Sequence, residues 1–150
     1  MPRLRSALAL ALCAALAACG GEEEQKPAFA TGTVCPPAGT ALRWADFDLE
    51  LFGDAAGTTG YCNYCHHSSR TTNDARHGAP LHANFDLIAV VREHAQLIDA
   101  MAGKGPTPTT PAMPYLLPAP LPADVPDPQP VPTDEERRRL SEWLACGAPE

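Results

Sequence analysis

The pentapeptide Cys62-Asn63-Tyr64-Cys65-His66 brings two thiols and an imidazole together within five residues. Thiols at this spacing share one tight turn, close enough to form thioethers to both vinyl groups of a single porphyrin. The next side chain, His66, then presents its imidazole to the iron from one face. C-x-x-C-H is the attachment signal of a c-type haem. Haem iron is a redox centre, so the spacing points to iron chemistry and first to electron transfer. The rival use of Cys62 and Cys65 is a zinc site or a disulfide. A structural zinc takes four ligands. No second C-x-x-C exists in the chain, and the adjacent His66 and His67 are poor partners in one chelate.

An electron-transfer haem usually takes a second axial ligand opposite the proximal one. By residue type the candidates are Met101, Met113, His67, His77, His82 and His94. His67 adjoins the proximal ligand and cannot reach the other face of the same haem. His94 and Met101 fall in a helical pattern, where packing accounts for them. Met113 lies in Pro111-Ala112-Met113-Pro114. Proline fixes φ and biases the residue before it toward extended geometry. A loop stiffened in this way presents a weak thioether donor at little ordering cost, so Met113 is expected to ligate the iron. The plainer alternative is a hydrophobic plug. Arg76 has two readings as well: a charge-assisted partner of a haem propionate, or a solvated loop arginine.

The N-terminus bears on whether the chain reaches a compartment where such haems are attached. Arg3 and Arg5 precede an Ala- and Leu-rich run over residues 6–18. The run is too short for a bilayer span and suits the apolar region of a signal peptide. It ends in Leu16-Ala17-Ala18-Cys19, which resembles the lipobox of bacterial lipoproteins. That resemblance implies a signal peptide over residues 1–18 and lipid on Cys19; the Glu-, Gly- and Thr-rich stretch that follows, with few apolar residues, reads as a flexible tether over residues 19–34. Gly20 after the cysteine implies, again by resemblance, the periplasmic side of a bacterial outer membrane or the cell surface. Several acyl chains would hold the protein firmly, since one alone binds marginally. Loss of Arg3 and Arg5 would take the formal charge from −7 to −9. Such acidity argues against nucleic acid as a partner and favours a basic redox protein.

Of the six cysteines, Cys13 would be cleaved away, Cys19 would take lipid, and Cys62 and Cys65 would take haem. Cys35 and Cys146 remain, and one pair in an exported chain reads as a disulfide. Closing a loop of more than a hundred residues contributes about 4–5 kcal/mol in the chain-entropy model, less any strain.

These side chains need elements to position them. Trp44, Phe47 and Leu51 share one face of an expected helix from Thr40 to Phe52, which Gly53 ends. Residues 68–80 are polar and irregular. Leu87, Val91, Ala95, Ile98 and Ala102 predict a second helix, capped by Asp86 and ending before Gly103, with Ile88 and Met101 on the same apolar face. Eleven of the seventeen prolines lie between Gly105 and Pro132, which predicts a long stiff loop. Thr133 and Glu136 form a capping box for a last helix carrying Leu140, Trp143 and Leu144, closed by Gly147. No strand is expected. The fold class is therefore all-α, a small bundle of three to four helices with a long proline-rich loop.

With these elements in place, residues 35–150 resemble the class I c-type cytochromes in their small monohaem lipoprotein form. The matching features are the amphipathic first helix, the Cys62–His66 pentapeptide, the turn Gly78-Ala79-Pro80, the middle helix, Met113-Pro114 and the last helix with Trp143. The resemblance implies a cytochrome c-like domain around one covalent haem c, in which the first and last helices cross. It also implies that the carbonyl of Pro80 accepts a hydrogen bond from the His66 imidazole and so sets its orientation. Three features depart from the family pattern: the length of the proline loop, Tyr115 after Met113-Pro114, and the Cys35–Cys146 pair.

The expected function is a membrane-anchored carrier of single electrons between protein partners, with His66 and Met113 as axial ligands. Methionine sulfur stabilises ferrous iron, so a fairly positive potential is expected. No nucleophile, general base or second metal constellation suggests an independent enzyme. The alternative is a haem-based sensor or peroxidase-like protein in which Met113 leaves the iron.

Overall fold

The computed structural model describes residues 29–47, 51–53, 61–114, 129 and 131–150. The expected signal peptide, lipidated Cys19, and most of the proline loop (residues 115–128 and 130) lie outside the described residues. Among the described residues the chain is helical without strands, so it is all-α at that level. Four α-helices follow a single 3₁₀ turn at Trp44–Asp46: α1 Asn63–His66, α2 Ile88–Glu93, α3 Ala95–Ala102 and α4 Asp134–Ala145. None of the described helices is long and apolar enough to cross a membrane.

Helix α4 is the organising element, and its start is written locally. Thr133 Oγ1 accepts from Glu136 N at 3.2 Å, while Thr133 N donates to Glu136 Oε2 at 2.6 Å. This reciprocal cap satisfies two orphan donors. Leu140, Trp143 and Leu144 are buried in one core with Phe29, Phe47, Leu51, Phe52, Val91, Ile98 and Ala102. Trp143 meets Phe47 at 4.8 Å and Trp44 at 5.9 Å between ring centroids. The first and last segments therefore pack together, and Cys35 and Cys146 are disulfide-bonded across them, with Cα atoms 4.7 Å apart.

The first helix starts later than the pattern predicts. Arg43 is extended (φ −129°, ψ 165°), and helical geometry begins at Trp44 rather than Thr40. Thr40 instead directs its hydroxyl to Glu142 Oε1 at 2.7 Å. Downstream, Phe47 O accepts from both Leu51 N (3.0 Å) and Phe52 N (2.9 Å). Gly53, at φ 78°, then turns the chain as expected.

The middle helix also differs from expectation. Asp86 does not cap it, because its carboxylate accepts from Ser68 N at 2.9 Å and Ser68 Oγ at 2.6 Å. The helix begins after Leu87 and breaks at His94 into α2 and α3, although His94 N still donates to Val90 O and Ile98 N to His94 O. Val91, Ile98 and Ala102 face the core, whereas Leu87 is exposed.

The folded part reaches further toward the N-terminus than a tether over residues 19–34 allows. Phe29 is buried in the core. Thr31 donates from N (3.0 Å) and Oγ1 (2.8 Å) to the buried carboxylate of Asp99. An apolar anchor and two charge-assisted bonds hold this strip on the domain.

Gly103 lets α3 close on α4. A Cβ there would stand 2.6 Å from Asp99 O and closer still to Ser141 Oγ. Gly103→Ala should lower stability by about 1–3 kcal/mol through overpacking, read as a reduced denaturant midpoint. An unchanged midpoint would show that α3 and α4 can separate freely here.

Candidate functional site

Cys62 precedes α1 and Cys65 lies within it. Cys65 N and His66 N both donate to Cys62 O, at 3.1 and 2.9 Å. This one turn holds both cysteines and His66, and the two thiols are not bonded to each other. Asn63, buried between them, donates from Nδ2 to Gly53 O at 2.7 Å and ties the turn to the end of the first helical segment. Burial pushes the Cys62 thiol up to about 12, partly opposed by the nearby Arg137 charge and reinforced by Cys65. Burial raises the Cys65 thiol as well, against Arg70 and Arg76. Burial thus favours the thiol over the thiolate at both positions.

His66 is fixed on two sides. Its carbonyl accepts from Phe85 N at 2.7 Å, and its ring stacks on Phe85 at 4.4 Å between centroids. Its Nδ1 lies 3.0 Å from Ala83 O. A carbonyl only accepts, so Nδ1 carries the proton and Nε2 keeps its lone pair. Burial lowers the His66 pKa, outweighing the opposing bond to Ala83, while Arg76 and His94 lower it further; the neutral, metal-binding form is favoured.

The carbonyl in question corrects the expectation for Pro80. Pro80 is exposed and its oxygen is taken by Arg76 Nη2 at 2.7 Å and Ala83 N at 3.1 Å. The turn that these bonds close carries the next buried carbonyl, Ala83, to the imidazole. Arg76 is corrected too. It is 1 % exposed and donates to Ala79 O, His67 O, Arg70 O, Asn84 Oδ1, Pro80 O and Ala83 O. A guanidinium saturated by protein oxygens is not available to a propionate.

Met113 is held through its backbone. Its N donates to Met101 O at 2.8 Å, and its O accepts from Arg137 Nη1 at 2.9 Å. The residue is 36 % exposed. Arg137, 8 % exposed, also donates to Ala102 O at 2.7 Å and Pro132 O at 3.3 Å. One guanidinium thus joins the end of α3, the Met113 loop and the start of α4, close enough to Cys62 for its charge to act on that thiol. Tyr61 Oη, beside Cys62, lies 3.3 Å from Glu136 Oε1 on the same helix.

Of the remaining histidines, His94 stands beside the site, its ring edge-on to Phe85 at 6.4 Å, while His77 and His67 are held by their own neighbours. His77 Nε2 is 3.0 Å from Tyr64 Oη, and its ring stacks on Tyr64. His67 Nδ1 accepts from Ser69 N at 3.1 Å. His82 and His94 meet edge to face at 5.7 Å. No group of three or more His, Cys, Asp or Glu side chains among the described residues is placed to hold a metal ion. Comparison with family models, with curated proteins and with solved structures finds no significant match.

Two residues of this neighbourhood escaped the sequence pattern. Ala83 acts through its backbone and leaves no signal. Arg137 did leave one: it stands three, four and seven residues before Leu140, Ser141 and Leu144, on the face that α4 buries.

Proposed function

We propose that this chain is a lipid-anchored monohaem c-type cytochrome that passes single electrons between protein partners. The observation that carries the reading is the pairing of two unbonded thiols on one helical turn with a histidine whose Nδ1 is bonded to a carbonyl. Cys62 and Cys65 would form the thioethers, His66 would bind iron through Nε2, and Met113 would approach from the stiff loop. The haem, when bound, supplies a one-electron couple. The residues of the chain would attach it and orient it. Lipid on Cys19 would hold the acidic domain at an outer-membrane or cell surface, where a basic redox protein would dock.

Mass spectrometry of the chain, made in a host competent in cytochrome maturation, tests this directly. One haem is expected on the peptide spanning residues 62–66, with low-spin c-type bands in the reduced spectrum. Colourless protein with an unmodified peptide would end the reading.

The exposure of Met113 favours a second reading, a sensor or peroxidase-like protein with a labile sixth ligand. Carbon monoxide separates the two. Slow or absent binding to the ferrous protein supports the carrier, and rapid binding supports the labile ligand.

A further inference from the structure

Two donors converge on the Ala83 carbonyl: His66 Nδ1 at 3.0 Å and Arg76 Nη2 at 2.7 Å. The other oxygens to which Arg76 donates are neutral, namely the carbonyls of His67, Arg70, Ala79 and Pro80 and the Asn84 amide, while the Asp86 carboxylate acts on it by charge without a direct bond and offsets part of its field. A buried cation is thereby wrapped in the segment that follows the proximal histidine. We propose that Arg76 is a positioning residue for His66: it fixes the carbonyl that orients the imidazole and, by drawing on the same oxygen, raises the potential of the attached haem. The inference rests on the haem reading and adds to it a residue that sets the couple.

Positioning follows from the shape of the fan. The acceptors come from residues 67, 70, 79, 80, 83 and 84, so one rigid group links both sides of the loop. Ala83 O then has little freedom, and neither does the imidazole bonded to it. Lysine, a single point charge on a flexible stem, cannot reproduce a planar fork of donors.

The effect on potential has two parts of the same sign. A strong acceptor on Nδ1–H makes a histidine more basic as a ligand, which favours ferric iron. A carbonyl has lone pairs for two donors, but a charge-assisted donor at the shorter distance weakens it as an acceptor for the imidazole. The bond from His66 is therefore softened and ferric iron loses stabilisation. The guanidinium charge acts in the same direction. In a poorly screened interior it disfavours the more positive oxidation state.

Midpoint potentials of the haem-loaded wild type, Arg76→Lys and Arg76→Met test the proposal. The methionine variant should bind haem but sit lower. The expected shift is about tenfold in the ferric-to-ferrous ratio at fixed ambient potential, about 59 mV for one electron. Its His66 Nδ1 proton should move downfield in the NMR spectrum of the ferrous protein as the bond to Ala83 strengthens. Lysine should fall between wild type and methionine. An unchanged or raised potential in the methionine variant overturns the proposal. Should that variant fail to accumulate, the lysine variant decides, and a wild-type midpoint there overturns it. Absence of covalent haem from the wild type would instead defeat the functional reading itself.

Discussion

Trp143→Ala is expected to destabilise the folded chain by about 3–5 kcal/mol, the range for removing a large buried aromatic ring. Trp143 has no exposed surface and touches three aromatic rings, those of Trp44, Phe47 and Phe52. Its ring joins the first helical segment to α4, so the cavity would open along the seam between the two ends of the domain. The lost hydrogen bond is the lesser part of the effect. Trp143 Nε1 donates to Pro149 O at 2.9 Å, but Trp44 N also donates to that oxygen, at 3.1 Å. The carbonyl keeps a partner and the damage is one of packing. Small domains are stable by only about 5–15 kcal/mol, so the variant should lose a large share of its margin. Urea unfolding measures this as a lower midpoint at unchanged slope. A loss below about 1 kcal/mol would mean that the seam repacks and that the aromatic cluster does not hold the ends together.

The same contrast between local and distant interactions decides what the sequence discloses. The start of α4 is legible because its cap is made by residues three apart, Thr133 and Glu136. Its apolar face is legible because 3.6-residue periodicity places Leu140, Trp143 and Leu144 together. The Cys35–Cys146 bond is legible by elimination among six cysteines. Where a polar side chain has a choice of partners, sequence is silent. Asp86 is a plausible cap, yet Ser68 holds it from eighteen residues away. Thr31 looks like part of a polar tether, yet Asp99, sixty-eight residues on, receives both its backbone and its hydroxyl.

At the site, the pentapeptide and the proline-flanked methionine are visible because they are contiguous. The carbonyl opposite His66 is not, since any residue in the turn supplies the same group. The difference of three positions between Pro80 and Ala83 follows from the way the loop folds around Arg76, through local bonds that leave no periodic pattern in the sequence. Neither sequence reading of Arg76, propionate partner or solvated arginine, anticipates a loop folded around its guanidinium.

On the proposed haem reading, Arg137→Met should release the Met113 loop, and the readout is access to the iron that the haem would bring. The substitution keeps an apolar stem of similar length on the buried face of α4 but removes the donors to Ala102 O, Met113 O and Pro132 O. A carbonyl left buried without a donor costs about 1–3 kcal/mol. Met113 would then retain its own N–H bond to Met101 O and lose the one that holds its carbonyl. Weakening the closed state by about 1.4 kcal/mol raises the open fraction tenfold, and the apparent rate of carbon monoxide binding to ferrous protein rises with that fraction. A gain of about tenfold or more is therefore expected, with loss of the sulfur-to-iron charge-transfer band in the ferric protein. Covalent haem should still form, since Cys62, Cys65 and His66 are all present, although Cys62 loses the neighbouring charge that favours its thiolate. Arg137→Lys, which keeps the charge and one donor direction, should recover part of the slow binding. If Arg137→Met binds carbon monoxide as slowly as wild type and keeps its sulfur band, Arg137 is not the clamp. If the wild type already binds rapidly, Met113 is labile from the start and the carrier reading gives way to the sensor.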